Sequence, residues 1–101
     1  GGGLAAGVST AVKALKPSCR VFLAEPKGAD DTQRSFSEGR ILSHTADKPN
    51  TIADGLLTTL GDLAFPILQR TVEKVICVDD HQIAKAMRLA MERMKVVLEP
   101  S

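Results

Sequence analysis

Two stretches and one loop carry residue types that could do chemistry. Gly1-Gly2-Gly3 passes directly into the apolar-periodic run Leu4-Ala5-Ala6-Gly7-Val8. Successive glycines let backbone N–H groups converge on an anion without a Cβ in the way, and a following helix adds its unpaired donors and positive dipole end, so this is a candidate phosphate cradle. Taken alone, the glycines would sooner suggest a flexible leader; the helical register that follows argues for the cradle. Glu25, Asp30 and Asp31 put three carboxylates in one turn-rich loop, with the carbonyls of Lys27 to Ala29 between them. Hard divalent cations such as Mg²⁺ or Ca²⁺ take such oxygen ligands. On spacing alone the plainer reading is favoured, with Asp30 and Asp31 as helix caps and Glu25 as a solvated strand end. Thr51-Ile52-Ala53-Asp54-Gly55 closes a long irregular stretch of the kind that often carries function. His44 and His81 lack a carboxylate or serine at a telling spacing and read as surface histidines, and no nucleophile triad is visible. Lys85, Arg88, Arg93 and Lys95 read as the solvated side of a helix.

The elements that must position these residues follow from periodicity. Leu4, Val8, Val12 and Leu15, flanked by Ala5 and Ala11, repeat every 3.6 residues and predict a helix with one face packed on a sheet. Lys16-Pro17-Ser18 ends it. Cys19 to Ala24 is a nearly continuous apolar run, predicting a strand buried on both faces and hence a parallel sheet. The acidic loop then lies at the strand's carboxyl end, where ligand sites of α/β folds collect. Asp30 and Gln33 have capping-box spacing for a short helix to about Glu38, stopped by Gly39. From Arg40 to Leu56 no period is defensible and a loop is expected. Leu60, Leu63, Ala64, Ile67, Leu68 and Val72 predict another helix, with Pro66 in its first turn or at a kink. Val75 to Val78 predicts a second buried strand. Asp79 with Gln82 repeats the capping-box spacing ahead of a long helix through Ile83, Met87, Ala90, Met94 and Val97, broken at Glu99-Pro100-Ser101. The order helix, strand, helix, helix, strand, helix is α/β, one half of a layered sheet.

Composition narrows the function classes. A chain of 101 residues with 44% apolar and 25% charged residues is one domain at most, with an aliphatic core because Trp and Tyr are absent. A formal charge of +1 without clusters gives no footprint for nucleic acid or an anionic membrane, and no apolar run approaches a membrane span. Cys19 and Cys77 stand far apart with no second Cys nearby, which fits buried free thiols in a reducing compartment; a cytoplasmic setting is expected.

With these residues in view, the chain closely resembles the serine racemase and serine/threonine dehydratase family, fold-type II enzymes that use pyridoxal 5′-phosphate. The resemblance rests on Gly-Gly-Gly-Leu-Ala-Ala-Gly, Val-Lys-Ala-Leu-Lys-Pro, Ala-Glu-Pro-Lys-Gly-Ala-Asp-Asp, Thr-Ile-Ala-Asp-Gly-Leu and Glu-Arg-Met-Lys-Val-Val-Leu-Glu-Pro-Ser, and covers essentially the whole chain. It implies that residues 1–101 form part of a three-layer α/β/α, Rossmann-like cofactor domain with a mostly parallel sheet. By the same resemblance Gly1, Gly2 and Gly3 match the last three glycines of the family's phosphate loop. Glu25, the carbonyl of Ala29 and Asp31 match the divalent-cation site of the racemase branch, for Mg²⁺, Ca²⁺ or Mn²⁺. Gly55 and Glu99 match positions beside the cofactor, and Lys95 matches a residue near the nucleotide (ATP) effector of animal serine racemases. The implied substrates are serine and threonine and the implied assembly is a homodimer. The Glu25/Asp31 pair favours the racemase-like branch over threonine deaminase, although hydroxyaspartate dehydratases share it. None of the chain's lysines has the Ser-x-Lys-x-Arg-like context of the lysine that carries the family's cofactor, so no catalytic residue is assigned and a fragment, not catalytic alone, is expected. A non-catalytic anion- or cation-binding α/β module is the rival reading.

Overall fold

The computed structural model describes residues 1–44 and 48–101, so the part of the expected loop over 45–47 lies outside the described residues. The chain runs through α1 (Gly3–Leu15), β1 (Phe22–Pro26), α2 (Asp31–Glu38), α3 (Ala64–Thr71), β2 (Lys74–Val78) and α4 (Asp80–Met94), with short 3-10 turns at Lys27–Ala29 and Asp54–Leu56. This is the element order the periodicities predict. β1 and β2 pair in parallel, from Phe22 beside Lys74 to Pro26 beside Val78. The first strand starts later and ends later than its apolar run suggests. Cys19 is drawn into a turn by its N–H on the Lys16 carbonyl at 2.9 Å and by Lys13 Nζ on its own carbonyl at 2.6 Å.

The core gathers Leu60, Ala64, Phe65, Leu68 and Val72 around Ala6 of α1. Phe36 of α2 meets Phe65 of α3 edge-on, with ring centroids 5.9 Å apart. The expected apolar face of α1 is not the buried one. Leu4 and Leu15 are 84% and 88% exposed, and the helix packs on α3 through Ala6 and Ser9. Small side chains let the two helices approach until Ser9 Oγ lies 2.7 Å from Thr71 Oγ1, a polar contact that hydrophobic periodicity does not register. Leu63 likewise turns outward, while Leu60 is buried ahead of α3. Pro66 falls in the first turn of α3, where its missing N–H costs nothing.

Burial of the strands on both faces is not observed. Among the described residues the sheet has two strands, and Phe22 and Ile76 remain exposed. Leu23 and Val75 face the recess that Leu68 lines, whereas Ala24 and Val78 share a cavity with Ile83 and Met87 of α4. Helices therefore lie on both faces of the parallel pair. The α4 capping box forms in full: Gln82 N–H donates to Asp79 Oδ1 at 2.8 Å, and Asp79 N–H to Gln82 Oε1 at 2.9 Å. Asp79→Ala removes one of the two reciprocal bonds and is expected to cost about 1 kcal/mol, read as a lowered urea midpoint with unchanged slope. The same helix ends at Met94, not beyond Val97. Lys95 adopts the left-handed conformation (φ 59°) and its Nζ covers the Glu92 carbonyl at 2.8 Å, so Val96 to Ser101 leave as irregular chain.

Candidate functional site

The glycine turn is built against the segment that precedes α3. Gly2, in the left-handed region at φ 95°, caps α1 without any side-chain acceptor. The first helical bond is Ala6 N–H to the Gly2 carbonyl at 2.9 Å, which leaves the N–H groups of Gly3, Leu4 and Ala5 ahead of it without helical partners. A Cβ on Gly2 would stand 2.8 Å from Leu60 Cδ1 and 3.1 Å from Ala64 Cβ, so only glycine fits there. Gly1 is held through its carbonyl, which accepts the Gly61 N–H at 2.9 Å. The Cβ position of Gly3 meets nothing within 4 Å.

The acidic loop departs from the capping reading of its spacing. Glu25 is not a solvated strand end: it is 8% exposed, and its two carboxylate oxygens accept the N–H groups of Thr32 and Gln33 at 3.1 and 2.9 Å. A residue of β1 thus caps α2, and the expected Asp30–Gln33 box does not form. Asp30 instead pairs with Arg34 at 2.9 Å. Asp31 is 1% exposed, and its Oδ2 accepts the Leu60 N–H at 2.7 Å. Ala29 is buried between the two carboxylates in sequence. Among the described residues no group of three or more His, Cys, Asp and Glu side chains gathers around a common point. Glu25 and Asp31 nevertheless line one small recess of about 120 Å³ together with Gly1, Gly2 and Ala24, which joins the glycine turn to the carboxylate pair.

Burial pushes the Glu25 carboxyl above its ordinary value, an effect that the two backbone N–H donors oppose and the neighbouring Asp31 charge reinforces. The folded state therefore holds this proton more tightly than the unfolded chain. The contribution of Glu25 to stability is complete below the ordinary value of 4.5 and is lost as pH rises through the raised folded value. In chelator, the urea midpoint should fall over that window, and Glu25→Gln should flatten the slope.

Gly55 is met by the segment that carries Glu99. Gly55 N–H donates to Ser101 Oγ at 3.0 Å, and a Cβ on Gly55 would come within 2.9 Å of that oxygen. Glu99 lines the cavity at the end of β1 and β2 with Ala24, Val78, Ile83 and Met87, and Ala24 lines the glycine recess as well. Lys95 stands apart from both cavities, on the far end of α4.

Three contributors escaped the sequence reading. His44, expected at the surface, has a side chain only 15% exposed, with Nε2 3.7 Å from Asp31 Oδ1 and no hydrogen-bond partner among the described residues. Asp80 holds Thr51 Oγ1 at 2.5 Å and the Ile52 N–H at 3.0 Å, fixing the loop that carries Gly55 to the start of α4. Leu60 supplies both a side chain under Gly2 and the N–H on Asp31. Only Asp80 left a trace, as an acidic residue in the first turn of a helix, and that position alone predicts dipole stabilisation and no distant loop. Cys19 and Cys77 are free, half-buried rather than buried, and burial raises the Cys77 thiol.

The chain is similar in sequence and in fold to known proteins. Serine racemase of Dictyostelium discoideum is 54% identical over 101 residues, covering 100% of this chain and 31% of that protein. L-threo-3-hydroxyaspartate ammonia-lyase of a Pseudomonas species is 42% identical over 102 residues, again covering 100% of this chain and 31% of the relative. The solved structure of maize serine racemase superposes with a TM-score of 0.93 at 49% identity, over 99% of this chain and 30% of that one. The chain thus spans about a third of the length of these relatives. The family profile described as pyridoxal-phosphate dependent enzyme matches residues 1–101, the whole of the chain, and the chain belongs to that family.

Proposed function

We propose that this chain is the phosphate-binding part of the cofactor domain of a pyridoxal-phosphate-dependent serine racemase or L-serine (L-threonine) ammonia-lyase. The observation that carries the reading is the Gly1–Gly3 turn, clamped on one side by Leu60 to Ala64 and continuing into the uncapped first turn of α1. Unpartnered N–H donors, a helix dipole and a glycine with no neighbour at its Cβ position are what a phosphate monoester requires, so the residues fit the group. When bound, pyridoxal phosphate supplies an electron sink for loss of the substrate's α-proton. The chain's own part would be to hold the phosphate at Gly1, Gly2 and Gly3, with Gly55 and Glu99 as further candidates for contact with the cofactor.

Glu25, the Ala29 carbonyl and Asp31 are our candidates for a divalent cation, Mg²⁺ with Ca²⁺ or Mn²⁺ as substitutes. Two buried carboxylates on one recess, each with lone pairs left after its backbone bonds, support this. A nucleotide effector at Lys95 would have to draw its ammonium off the Glu92 carbonyl. We place the enzyme in the cytoplasm, which the free thiols support, and as a homodimer, the assembly implied by the resemblance to serine racemases. No helix among the described residues is long and apolar enough to cross a membrane.

The test is an assay of the full-length protein with L-serine, D-serine, L-threonine and L-threo-3-hydroxyaspartate. Interconversion of the serine enantiomers, release of ammonia from L-serine or L-threonine, or both, is the expected result. Preferential deamination of hydroxyaspartate would move the protein to the ammonia-lyase that its 42% identity keeps in view. No reaction with any of the four would overturn the reading.

A further inference from the structure

The glycine turn and the carboxylate pair are joined by a continuous set of contacts. Asp31, at the first position of α2, sends its Oδ2 to the Leu60 N–H at 2.7 Å, in an environment where the carboxylate is 1% exposed. The residue that follows Leu60 holds the turn as well: Gly61 donates its N–H to the Gly1 carbonyl at 2.9 Å. Leu60 itself lies under Gly2, in the space a Cβ there would enter. A buried charge-assisted bond of this kind is among the stronger fixed contacts in a protein, and the alternative for a buried Leu60 N–H is no partner at all.

From this we infer that Asp31 is a positioning residue for the phosphate: through Leu60 it fixes the strap of residues 60–61, and the strap sets the geometry of the Gly1–Gly2 turn. The inference rests on the proposed binding of the cofactor phosphate at Gly1 to Gly3. It goes further by assigning Asp31 a role that needs no cation. The negative charge of Asp31 never reaches the phosphate; what reaches it is the placement of the strap. Asparagine, which keeps one acceptor oxygen of the same reach, should therefore serve nearly as well as aspartate.

The experiment uses the full-length protein stripped of cofactor, in chelator, and titrates it separately with pyridoxal phosphate and with pyridoxal, reading absorbance and the phosphorus resonance of the bound ligand. Asp31→Ala is expected to weaken pyridoxal phosphate about tenfold, a typical size for coupling between two sites, while pyridoxal affinity stays the same. Asp31→Asn should restore most of the loss. Gly61→Ala is an independent variant, because its Cβ would press on the Gly1 carbonyl from 3.2 Å while leaving Asp31 and its bond untouched. It should reproduce the phosphate-specific loss and shift the phosphorus resonance, and it carries the test if Asp31→Ala does not fold. A wild-type protein that binds neither ligand would sink the cofactor reading itself. Wild-type binding with an undiminished preference for the phosphate form in Gly61→Ala, or equal losses for both ligands, would overturn the strap inference alone.

Discussion

Gly28→Ala should destabilise the protein by about 3 kcal/mol, near the upper end for overpacking in a fixed backbone environment. Gly28 sits in the 3-10 turn between β1 and α2, and its carbonyl accepts the Asn50 N–H at 3.0 Å. A Cβ at this position would run into the Asn50 carbonyl oxygen, with the carbonyl carbon 2.9 Å away. Backbone atoms on both sides leave no flexible side chain to give way. Relief would require the acidic loop and the segment leading into Thr51 to separate, breaking the Gly28–Asn50 bond and shifting the Thr51–Gly55 loop. Urea denaturation of the full-length protein gives the comparison. A loss below about 1 kcal/mol, within the range of ordinary substitutions, would mean that the two segments are not fixed against each other.

Asp31 separates a structural from a metal-binding role when two substitutions and two conditions are combined. In chelator, Asp31→Ala leaves the buried Leu60 N–H without an acceptor and should cost about 1 to 3 kcal/mol. Asp31→Asn keeps an acceptor and should lose much less. If Asp31 also holds Mg²⁺, the wild-type protein gains further stability in the cation's presence, about 2.7 kcal/mol at roughly a hundredfold excess over Kd, because binding favours only the folded state. Neither variant should show that gain, since a neutral side chain at this position no longer compensates a divalent charge. Thermal melts at fixed pH with Mg²⁺ and with chelator read both effects. Equal shifts of wild type and Asp31→Asn on adding Mg²⁺ would remove Asp31 from the cation site and leave it as the acceptor for Leu60.

Local signals in this sequence were reliable where a single element decides the outcome. The Asp79–Gln82 box lies within four consecutive residues and forms as its spacing predicts, because both partners belong to the same helical turn. The identical spacing at Asp30 and Gln33 fails for a reason outside that turn. Glu25 arrives from β1 and takes the Thr32 and Gln33 N–H groups first, while Asp30 is drawn to Arg34. Periodicity likewise located α1 but did not reveal which of its residues meet α3. Leu4, Val8 and Leu15 outrank Ala6 and Ser9 in hydrophobicity, yet contact with α3 requires small residues that let two backbones approach.

The sequence by itself determined the order of elements, the parallel pairing of two apolar strands, the capping of α4 and, through its motifs, the family to which the chain belongs. These depend on short-range patterns and on residue identity, both of which survive without coordinates. Only the tertiary structure decided that Glu25 and Asp31 are buried acceptors of backbone N–H groups, that His44 lies against Asp31, and that Asp80 fastens the Thr51–Gly55 loop. Each of those contacts joins residues from different elements, separated by up to 29 positions along the chain. Which distant donor reaches a carboxylate is settled by how helices and strands pack, and a buried polar group takes whichever partner that packing supplies.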